Sequence, residues 1–319
     1  MSIPEAVEQV GGLQTQYAPS GYVGLWTRLA GFKRDALTRA LEDRSVIQAT
    51  LMRVTIHVVS RREYWPYALG VREARRELWR RGTGRTTAEH EVELEEAARR
   101  MRTALADGPR TVKELGSIAS GFVGTLGLWV DVVRVPPGGT WERRRADRLA
   151  LAEDWVGPVD STEAEGRVHL VRAYLRAFGP AALRDIASWS GLSVTAVKDA
   201  AGELTLRRSR DENGGELVDL PDGPLPGPDT PAPVRFLPHW DANLLVHARG
   251  TGLLPEPYRP RVFSSKNPFS VGTYLVDGSV AGAWSLRDGR IVLDPFEDLR
   301  ARDRRAVEDE REALEAFHS

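Results

Sequence analysis

The chain has 319 residues, of which 41% are hydrophobic and 28% charged, and its formal net charge is −1. This balance is typical of a soluble globular protein of two or three domains, and it excludes a chain that is polycationic as a whole. Cysteine is absent, which excludes disulfides, thiolate metal sites and thiol nucleophiles, and the lack of a long apolar run or signal peptide predicts a cytoplasmic location.

Arginine supplies almost all of the positive charge, because lysine occurs only at Lys33, Lys113, Lys198 and Lys266. A guanidinium suits planar, bidentate contacts with phosphate. Local arginine clusters in a near-neutral chain fit a protein with one basic face. They fit any arginine-rich soluble protein equally well.

Residues 1–85 are predicted to form a first winged helix. Ser2 can cap a short helix that a glycine pair ends, and the segment "LQTQY" follows. If that segment is extended, Gln14 and Gln16 project from one face and Thr15 from the other. Two helices, "SGYVGLWTRLAG" and "KRDALTRALEDR", come next by their apolar spacing.

The segment "SVIQATLMRVTIHVVS" is predicted to form two short strands around residues 51–53, which completes the helix, helix, ribbon order of a winged helix. Thr55 and His57 share a face of the second strand. The basic helix "YWPYALGVREARRELWRRGTGR" follows, and it carries Arg76 and Arg80.

Residues 86–158 are predicted to repeat this order, with a capping box at Thr111 and Glu114, a strand in "LGLWVDVVRV" and the basic segment "WERRRADRLAL" after a "PPGG" turn. Residues 159–220 are predicted to form the clearest unit, a helix–turn–helix in "GPAALRDIASWSGLSVTAVKDAAGEL" and a hairpin in "LTLRRSRDENGGELVDL".

Residues 221–233 are a Pro/Gly-rich linker, and residues 234–319 are β-rich with a last charged helix. The predicted fold class is therefore α+β, with three tandem winged helices and a β-rich C-terminal segment that contains a β-hairpin.

Several kinds of catalytic site are excluded by the motifs that the chain lacks. The six histidines have no metal-ligand spacing, and there is no phosphate-binding loop, dinucleotide fingerprint or nucleophile elbow. We therefore expect no metal and no cofactor. Three winged helices with arginine clusters favour DNA as the partner, although winged helices also bind proteins.

The segments "GLQTQYAPSGYVGLWTRL", "LMRVTIHVVS", "GPAALRDIASWSGLS" and "YLVDGSVAGAW" resemble the AlkZ-type winged-helix DNA glycosylases, which include the YcaQ-like bacterial proteins. The resemblance spans nearly the whole chain. In that family a Gln–Φ–Gln or Gln–Φ–Asp motif, with Φ hydrophobic, is catalytic. The match here is Gln14-Thr15-Gln16, with Thr in place of the apolar residue.

Two amides restrict the chemistry that this motif can perform. Hydrolysis of an N-glycosidic bond passes through an oxocarbenium-like sugar, and an unmodified purine needs a general acid in order to leave. A neutral amide exchanges no proton near pH 7, so Gln14 and Gln16 can only orient water and offer dipoles. We therefore expect such a site to act on purines alkylated at N7 or N3, which are already cationic.

The resemblance suggests further contacts with DNA, each with a purely structural alternative. Thr55 and His57 can line the same cleft, or His57 can be a structural histidine. The stretch "RPRVFSSKNPFSVGTY" fits a β-hairpin that probes the duplex, with contacts from its tip, or an ordinary loop. The arginines at 72–85 and 143–148, Arg144 included, can bind phosphate or form solvated faces. The hairpin-tip candidates are Ser265, Lys266 and Asn267.

The predicted function is that of a monomeric, monofunctional DNA glycosylase in base excision repair. No lysine is evidently placed for Schiff-base lyase chemistry. The substrate would be double-stranded DNA with an alkylated purine, including bulky natural-product adducts or crosslinks, and self-resistance to a genotoxin and a nucleoid-associated location are consistent with that role. The alternative is a non-catalytic winged-helix regulator. Asp241 is predicted to be structural, and it is the residue to test if the glutamines prove dispensable.

Overall fold

The structure is a computed structural model that describes residues 1–83, 88–118, 127–246, 252–263 and 270–319. The chain divides into two compact units. The first contains residues 1–18 and 33–223, and the second contains residues 19–32 and 224–319. The boundary at 223 falls inside the predicted linker, whereas the placement of residues 19–32 in the second unit was not predicted. The division of the chain at residues 85, 158, 220 and 233 stays a prediction.

The elements up to residue 219 are, in chain order, α1 (Ile3–Gln9), β1 (Leu13–Gln14), α2 (Pro19–Trp26), α3 (Arg34–Glu42), β2 (Val46–Thr50), β3 (Ile56–Ser60), α4 (Tyr64–Gly70), α5 (Arg72–Thr83), α6 (Ala88–Leu105), β4 (Arg110–Thr111), α7 (Val112–Ile118), β5 (Val132–Arg134), β6 (Arg148–Leu151), α8 (Ala152–Val156), α9 (Glu163–Phe178), α10 (Leu183–Ser190), α11 (Val194–Gly202), β7 (Arg207–Arg210) and β8 (Glu216–Asp219). The remaining elements are β9 (Arg235–Leu237), α12 (Ala242–Val246), α13 (Arg259–Val262), β10 (Gly272–Val276), β11 (Ser279–Arg287), β12 (Arg290–Pro295) and α14 (Ala301–His318). None of the described helices is both long enough and apolar enough to cross a membrane.

A six-stranded sheet in the order β1-β3-β2-β5-β6-β4 organises the first unit, and its neighbouring strands are antiparallel. The pairing of Gln48 with Arg134 joins the β2–β3 ribbon to the β5–β6 ribbon. The ribbons of the first two predicted winged helices thus form one sheet. The prediction of a mixed helix and sheet fold is confirmed, and the count of three winged helices is not.

The helix–turn–helix predicted in the third segment is present as α10 and α11. Gly191 ends α10 in the left-handed conformation (φ 83°), which glycine adopts without strain. The Ser193 hydroxyl then caps α11 by accepting a hydrogen bond from the Ala196 N–H (3.1 Å). The predicted wing is the β7–β8 hairpin, in which Arg207 pairs with Asp219.

Helices α4 and α9 cross at two glycines. A Cβ atom on Gly166 would lie 2.5 Å from the Gly70 backbone nitrogen and 2.6 Å from the Pro66 carbonyl oxygen. No larger side chain fits at that distance, so the two backbones can approach this closely only with glycine at both positions. The crossing holds α9, which leads directly into the helix–turn–helix, against α4.

The second unit contains a four-stranded sheet in the order β12-β11-β10-β9, and the two predicted Asp-Gly turns connect β10 to β11 and β11 to β12. Asp277 and Asp288 have φ values of 55° and 49°, as such hairpin turns require. The extended first arm predicted for the DNA-probing hairpin is wrong, because residues 259–262 form the helical turn α13. Pro260 at the start of a helical turn explains the difference, since its fixed φ suits that position.

Candidate active site

Strand β1 places Gln14 directly opposite His57 of β3, and His57 in turn lies opposite Ala49 of β2. Side chains of residues paired in this way project from the same face of an antiparallel sheet. Gln14 and His57 therefore share one face. The part of the glutamine segment that is a strand is Leu13–Gln14.

Gln16 continues the pairing with β3 through its side chain. The Thr15 N–H donates to the Ile56 carbonyl oxygen (2.7 Å), and the Ile56 N–H donates to Oε1 of Gln16 (3.1 Å). The side-chain carbonyl of Gln16 thus takes the place of a backbone acceptor at the edge of the sheet. Since the partner is a donor only, the amide is oriented with its oxygen on Ile56 and its NH2 group directed elsewhere.

The amide of Gln14 is also bound through its oxygen, because Nη2 of Arg53 donates to Oε1 of Gln14 (3.2 Å). A guanidinium has no acceptor, so this amide also has its oxygen bound and its NH2 group directed away. No described residue forms a hydrogen bond with Nε2 of either glutamine. The pair therefore offers up to four N–H donors, together with the second lone pair on each carbonyl oxygen.

Thr15, the middle residue of the motif, is buried with only 3% of its surface exposed. Its Oγ1 accepts a hydrogen bond from Nε2 of Gln48 (3.1 Å), which is also buried. This contact satisfies a hydroxyl where the family pattern has an apolar side chain. A Cβ on Gly139 would lie 2.0 Å from Oε1 of Gln48, so glycine there makes room for the amide. The threonine thus packs against Gln48 in the interior.

Arg53 was not singled out by the sequence. It lies in the turn between β2 and β3 in the left-handed conformation (φ 53°, ψ 25°), and Val54 follows with φ 60°. Its Nη1 donates to the carbonyl oxygen of Trp189 at the end of α10. No carboxylate in the described part of the chain pairs with it, and burial lowers its pKa to about 10. Arg53 remains a cation at neutral pH.

His57 is buried with 2% of its surface exposed, and its Nδ1 lies 3.0 Å from the Thr55 carbonyl oxygen. Burial first, and then the charge of Arg53, lower the pKa of His57 to about 3. The ring is therefore neutral at pH 7, with Nδ1–H donating to Thr55 and Nε2 left as an acceptor. The Thr55 hydroxyl donates to the Met52 carbonyl oxygen (3.0 Å) and closes the β2–β3 turn.

Trp189, which receives the Arg53 hydrogen bond, is anchored in an aromatic cluster. Its ring centroid lies 5.4 Å from that of Tyr174 and 6.3 Å from that of Tyr67, both in edge-on arrangements. All three side chains are buried. The carbonyl that fixes Arg53 is thus held by the helix–turn–helix and its packing against α4 and α9.

Arg144 lies beside the glutamine segment. It is exposed, its Nη1 donates to the Tyr17 hydroxyl (3.0 Å), and its guanidinium lies 5.7 Å from the centre of that ring. Tyr17 directly follows Gln16 in the chain. The structure therefore brings this sequence-predicted arginine next to the motif, at the surface.

Arg76 and Arg80, the other predicted phosphate contacts, lie on α5 and have partners within the protein. Nε of Arg76 donates to the Leu128 carbonyl oxygen (2.9 Å), and Nη1 of Arg80 donates to Glu73 (2.7 Å). They line an open pocket of about 360 Å³ with further arginines of α6. These additional arginines are Arg99 and Arg102.

The predicted contacts Ser265, Lys266 and Asn267 lie outside the described residues. Asp241 belongs to the second unit, where both of its carboxylate oxygens accept hydrogen bonds from Nη2 of Arg28 (2.9 Å each). With 5% of its surface exposed and a paired charge, Asp241 has the environment of a structural residue.

Gln14, Arg53 and His57 form one cluster, and Gln16 is bound beside it to the Ile56 N–H. The histidine pKa is far below 7 and the arginine pKa far above it, and amides do not titrate. Such a cluster can orient water and bind developing charge with fixed dipoles. It cannot supply a proton to a leaving group at neutral pH.

The family model of the DNA glycosylase AlkZ-like proteins matches residues 7–317. An interstrand DNA cross-link repair glycosylase from Streptomyces sahachiroi is 25% identical to this chain, in an alignment that covers 96% of this chain and 89% of the relative. The structure also resembles the solved structure of Streptomyces sahachiroi DNA glycosylase AlkZ, with a TM-score of 0.81 at 21% identity. The superposition covers 100% of this chain and 91% of the AlkZ chain. The structural likeness shows a shared fold.

Proposed function

The chain belongs to the AlkZ-like family of DNA glycosylases and is a DNA repair glycosylase. From this premise we propose that Gln14 and Gln16 catalyse hydrolysis of the N-glycosidic bond of cationic alkylpurines. The observation that carries the proposal is that both amides are held through their carbonyl oxygens. Each has its carbonyl oxygen bound by a donor from the protein and its NH2 group directed away from that contact.

The reaction breaks the bond between C1′ of the sugar and the base nitrogen. The base leaves with both bonding electrons, which neutralise the positive charge of an N7- or N3-alkylated purine, so no acid is needed. Water adds its oxygen to C1′ and loses a proton to solvent. The glutamines orient that water and stabilise the oxocarbenium-like sugar with the second lone pairs of their carbonyl oxygens.

His57 and Thr55 have different parts in this proposal. Nε2 of neutral His57 lies on the same face as Gln14 and can accept a hydrogen bond from the water or the sugar. A base with a pKa of about 3 takes up a proton poorly, which argues against His57 as the general base. Thr55 supports the position of His57 through the turn that it closes.

We propose double-stranded DNA as the substrate and a monomeric, monofunctional enzyme that leaves an abasic site. Arg144 beside Tyr17 is the phosphate contact that this geometry supports best, and Arg76 and Arg80 would bind the duplex further along α5. Ser265, Lys266 and Asn267 remain candidates for the contact made by the C-terminal segment. Repair of chromosomal DNA would take place in the cytoplasm at the nucleoid.

Bulky adducts and crosslinks are included in the proposed substrate range, because the similar protein from Streptomyces sahachiroi is named for interstrand cross-link repair. A role in self-resistance to a DNA-alkylating natural product is compatible with that range. The alternative of a non-catalytic regulator predicts binding to one defined sequence and no strand breaks after alkali.

The deciding experiment uses a duplex with a single N7-methylguanine, followed by alkaline cleavage and a gel. Wild type should cleave, an unmodified duplex should remain intact, and Gln14→Ala with Gln16→Ala should lose activity. The control is Gln9→Ala, since Gln9 is an exposed glutamine of α1. Full activity in the Gln14/Gln16 double variant would refute the site assignment. A duplex with an N7–N7 crosslink, tested in the same way, would show whether both strands are released.

A further inference from the structure

We propose that Arg53 is the positioning residue that fixes the amide of Gln14 for catalysis. The inference rests on the proposed role of Gln14, and it starts from one junction. The guanidinium of Arg53 joins the Gln14 side-chain carbonyl to the backbone carbonyl of Trp189, with one nitrogen bound to each.

Arg53 lies at the centre of a tight turn, closed by the Thr55 N–H on the Met52 carbonyl oxygen. Arg53 and Val54 are consecutive non-glycine residues with positive φ. Each left-handed residue carries an energetic cost, and the cost is larger for a β-branched side chain such as valine. Strain of this kind persists where surrounding contacts impose it, and it is concentrated at functional sites. The Arg53 side chain reaches Gln14 from this turn.

Buried arginines of the first unit fall into two groups. Arg72 and Arg176 pair with the carboxylates of Asp131 and Glu63, whereas Arg75 and Arg134 donate to uncharged oxygens of Thr50. Arg53 has two neutral carbonyl partners and no carboxylate among the described residues. A buried cation that is not neutralised costs free energy, and the carbonyl oxygens of Gln14 and Trp189 are the groups that offset this cost for Arg53.

The consequence for Gln14 is a single amide orientation. Without Arg53 the side chain can rotate by 180° about its last bond at little cost, and the oxygen and NH2 group exchange places. The guanidinium accepts nothing, so it stabilises only the orientation with the oxygen toward Arg53.

The anchor on Trp189 makes this orientation rigid. Trp189 is buried against Tyr174 and Tyr67. Gly191 lies close to Arg53, because a Cβ atom on Gly191 would be 3.6 Å from the Arg53 backbone nitrogen. The helix–turn–helix therefore has a second use in this protein, which is to hold the group that orients Gln14.

The first test is spectroscopic and does not depend on catalysis. The chain has four glutamines, so labelling with side-chain 15N-glutamine gives four NH2 signals, and Gln14→Ala identifies the one that belongs to Gln14. Arg53→Met should shift that signal and make the Gln14 side chain more mobile, whereas the Gln9 signal should stay unchanged. A Gln14 signal that is the same in wild type and Arg53→Met would overturn the inference.

The second test is a double-mutant cycle on the single-turnover rate with N7-methylguanine duplex. Arg53→Met should lower the rate at saturating enzyme by about tenfold to a hundredfold, as expected for misplacement of a catalytic group, while the Kd for lesion DNA changes little. In a Gln14→Ala background the same change should cost little more. A further loss as large as in the wild-type background, or a loss confined to Kd, would overturn the inference.

Two additional variants guard against trivial explanations. Arg53→Gly removes the side chain and suits a positive φ, so it tests the same loss if Arg53→Met folds poorly. Arg61→Met is the matched control, because Arg61 also donates to a backbone carbonyl (Val156, 3.0 and 2.7 Å) and has no hydrogen bond to either glutamine. Its rate should equal that of wild type. If Gln14→Ala keeps the full rate, the catalytic assignment of Gln14 fails and this inference with it, whereas the spectroscopic result can refute the inference alone.

Discussion

Gln14 and His57 lie directly opposite each other on strands β1 and β3, and the histidine ring is neutral at physiological pH. The pKa of about 3 follows from burial and from the nearby charge of Arg53. A neutral imidazole with Nδ1–H bound to the Thr55 carbonyl keeps one acceptor nitrogen over a wide pH range. The chemistry of the site should therefore depend on fixed dipoles and hardly on proton transfer.

We expect the single-turnover rate with N7-methylguanine duplex to be nearly constant between about pH 5 and 9. His57 protonates only near pH 3 and Arg53 loses its proton only near pH 10, so neither changes state in this range. The measurement is a rate–pH profile at saturating enzyme. A sigmoid with a midpoint near 6.5, the ordinary pKa of histidine, would mean that His57 acts as the base.

Gln16→Glu should separate the structural contact of Gln16 from its chemistry. The carboxylate can still accept from the Ile56 N–H, so the melting temperature should stay close to that of wild type. It can also take a proton from water, and we expect a rise in rate of about tenfold or more. Because only the ionised carboxylate acts as a base, the rate should fall as the pH drops through its pKa.

Gln9→Glu is the matched control for this charge change, since Gln9 is exposed on α1. It should leave both the rate and its pH profile unaltered. An unchanged, pH-independent rate in Gln16→Glu would argue that Gln16 does not contact the attacking water.

The pattern of the sequence predicted the β2–β3 ribbon and the helix–turn–helix, because each depends on neighbouring residues, whereas the glutamine motif was identified through the family resemblance. Arg53 could not be predicted in this way. Its partners are 39 and 136 positions away, and no local rule favours arginine at a positive φ. The Gln48–Thr15 hydrogen bond joins residues 33 positions apart and was missed for the same reason.

The membership of α2 in the second unit was also beyond local patterns. Apolar spacing shows that a helix has a face to bury, but it does not identify the surface that covers it. The merged sheet has the same cause. The pairing of β2 with β5 depends on backbone hydrogen bonds between strands far apart in the sequence, so the two ribbons appeared to be separate wings.

Gly166→Ala should destabilise the first unit by about 1–3 kcal/mol or more, the range found for overpacked sites, because its Cβ would meet the backbones of Gly70 and Pro66 at 2.5–2.6 Å. Chemical denaturation monitored by tryptophan fluorescence would measure the change in midpoint. Gly202→Ala is the control. It lies in α11 with no atom within 4 Å of the added methyl, and it should be neutral or slightly stabilising.

The ion pair between Glu8 and Arg62 should contribute stability that disappears in acid. Burial opposes ionisation of Glu8, but hydrogen bonds from Arg62 and Ser60 and the charges of Arg62 and Arg176 outweigh it, so its pKa lies below the usual 4.5. A carboxyl with a lowered folded-state pKa stabilises the protein above the unfolded-state pKa and loses that contribution as pH falls. The difference in unfolding free energy between wild type and Glu8→Gln should therefore shrink from pH 7 to pH 3.

A constant difference across that range would show that the carboxylate charge of Glu8 does not stabilise the fold. Glu5→Gln provides a comparison on the same helix. Hydrogen bonds from Ser2 lower the pKa of the exposed Glu5, so the comparison separates a helix-capping carboxyl from one that is held by arginine.

Arg76→Ala with Arg80→Ala should weaken the binding of any duplex, damaged or not, if these side chains bind phosphate. The slope of log K against log salt should fall by about one unit for each phosphate that the protein no longer neutralises. Fluorescence anisotropy at several salt concentrations measures this slope. Arg39→Ala, an exposed arginine of α3 paired with Asp35, is the control with an expected slope equal to that of wild type. An unchanged slope in the Arg76/Arg80 variant would remove α5 from the DNA-binding surface.

The placement of residues 19–32 in the second unit has a consequence for biosynthesis. Helix α2 packs against β9, and the rings of Trp26 and Phe32 lie about 6 Å from that of Phe317 in α14 (5.8 and 6.0 Å). At the usual rate of about 5–20 residues per second, the ribosome needs roughly 15–60 s to make the residues that separate α2 from this partner. Nearly all of α2 is buried in the finished fold, so its apolar side chains lack the surface that buries them during that time. The packing of α2 is therefore completed only after α14 has been made.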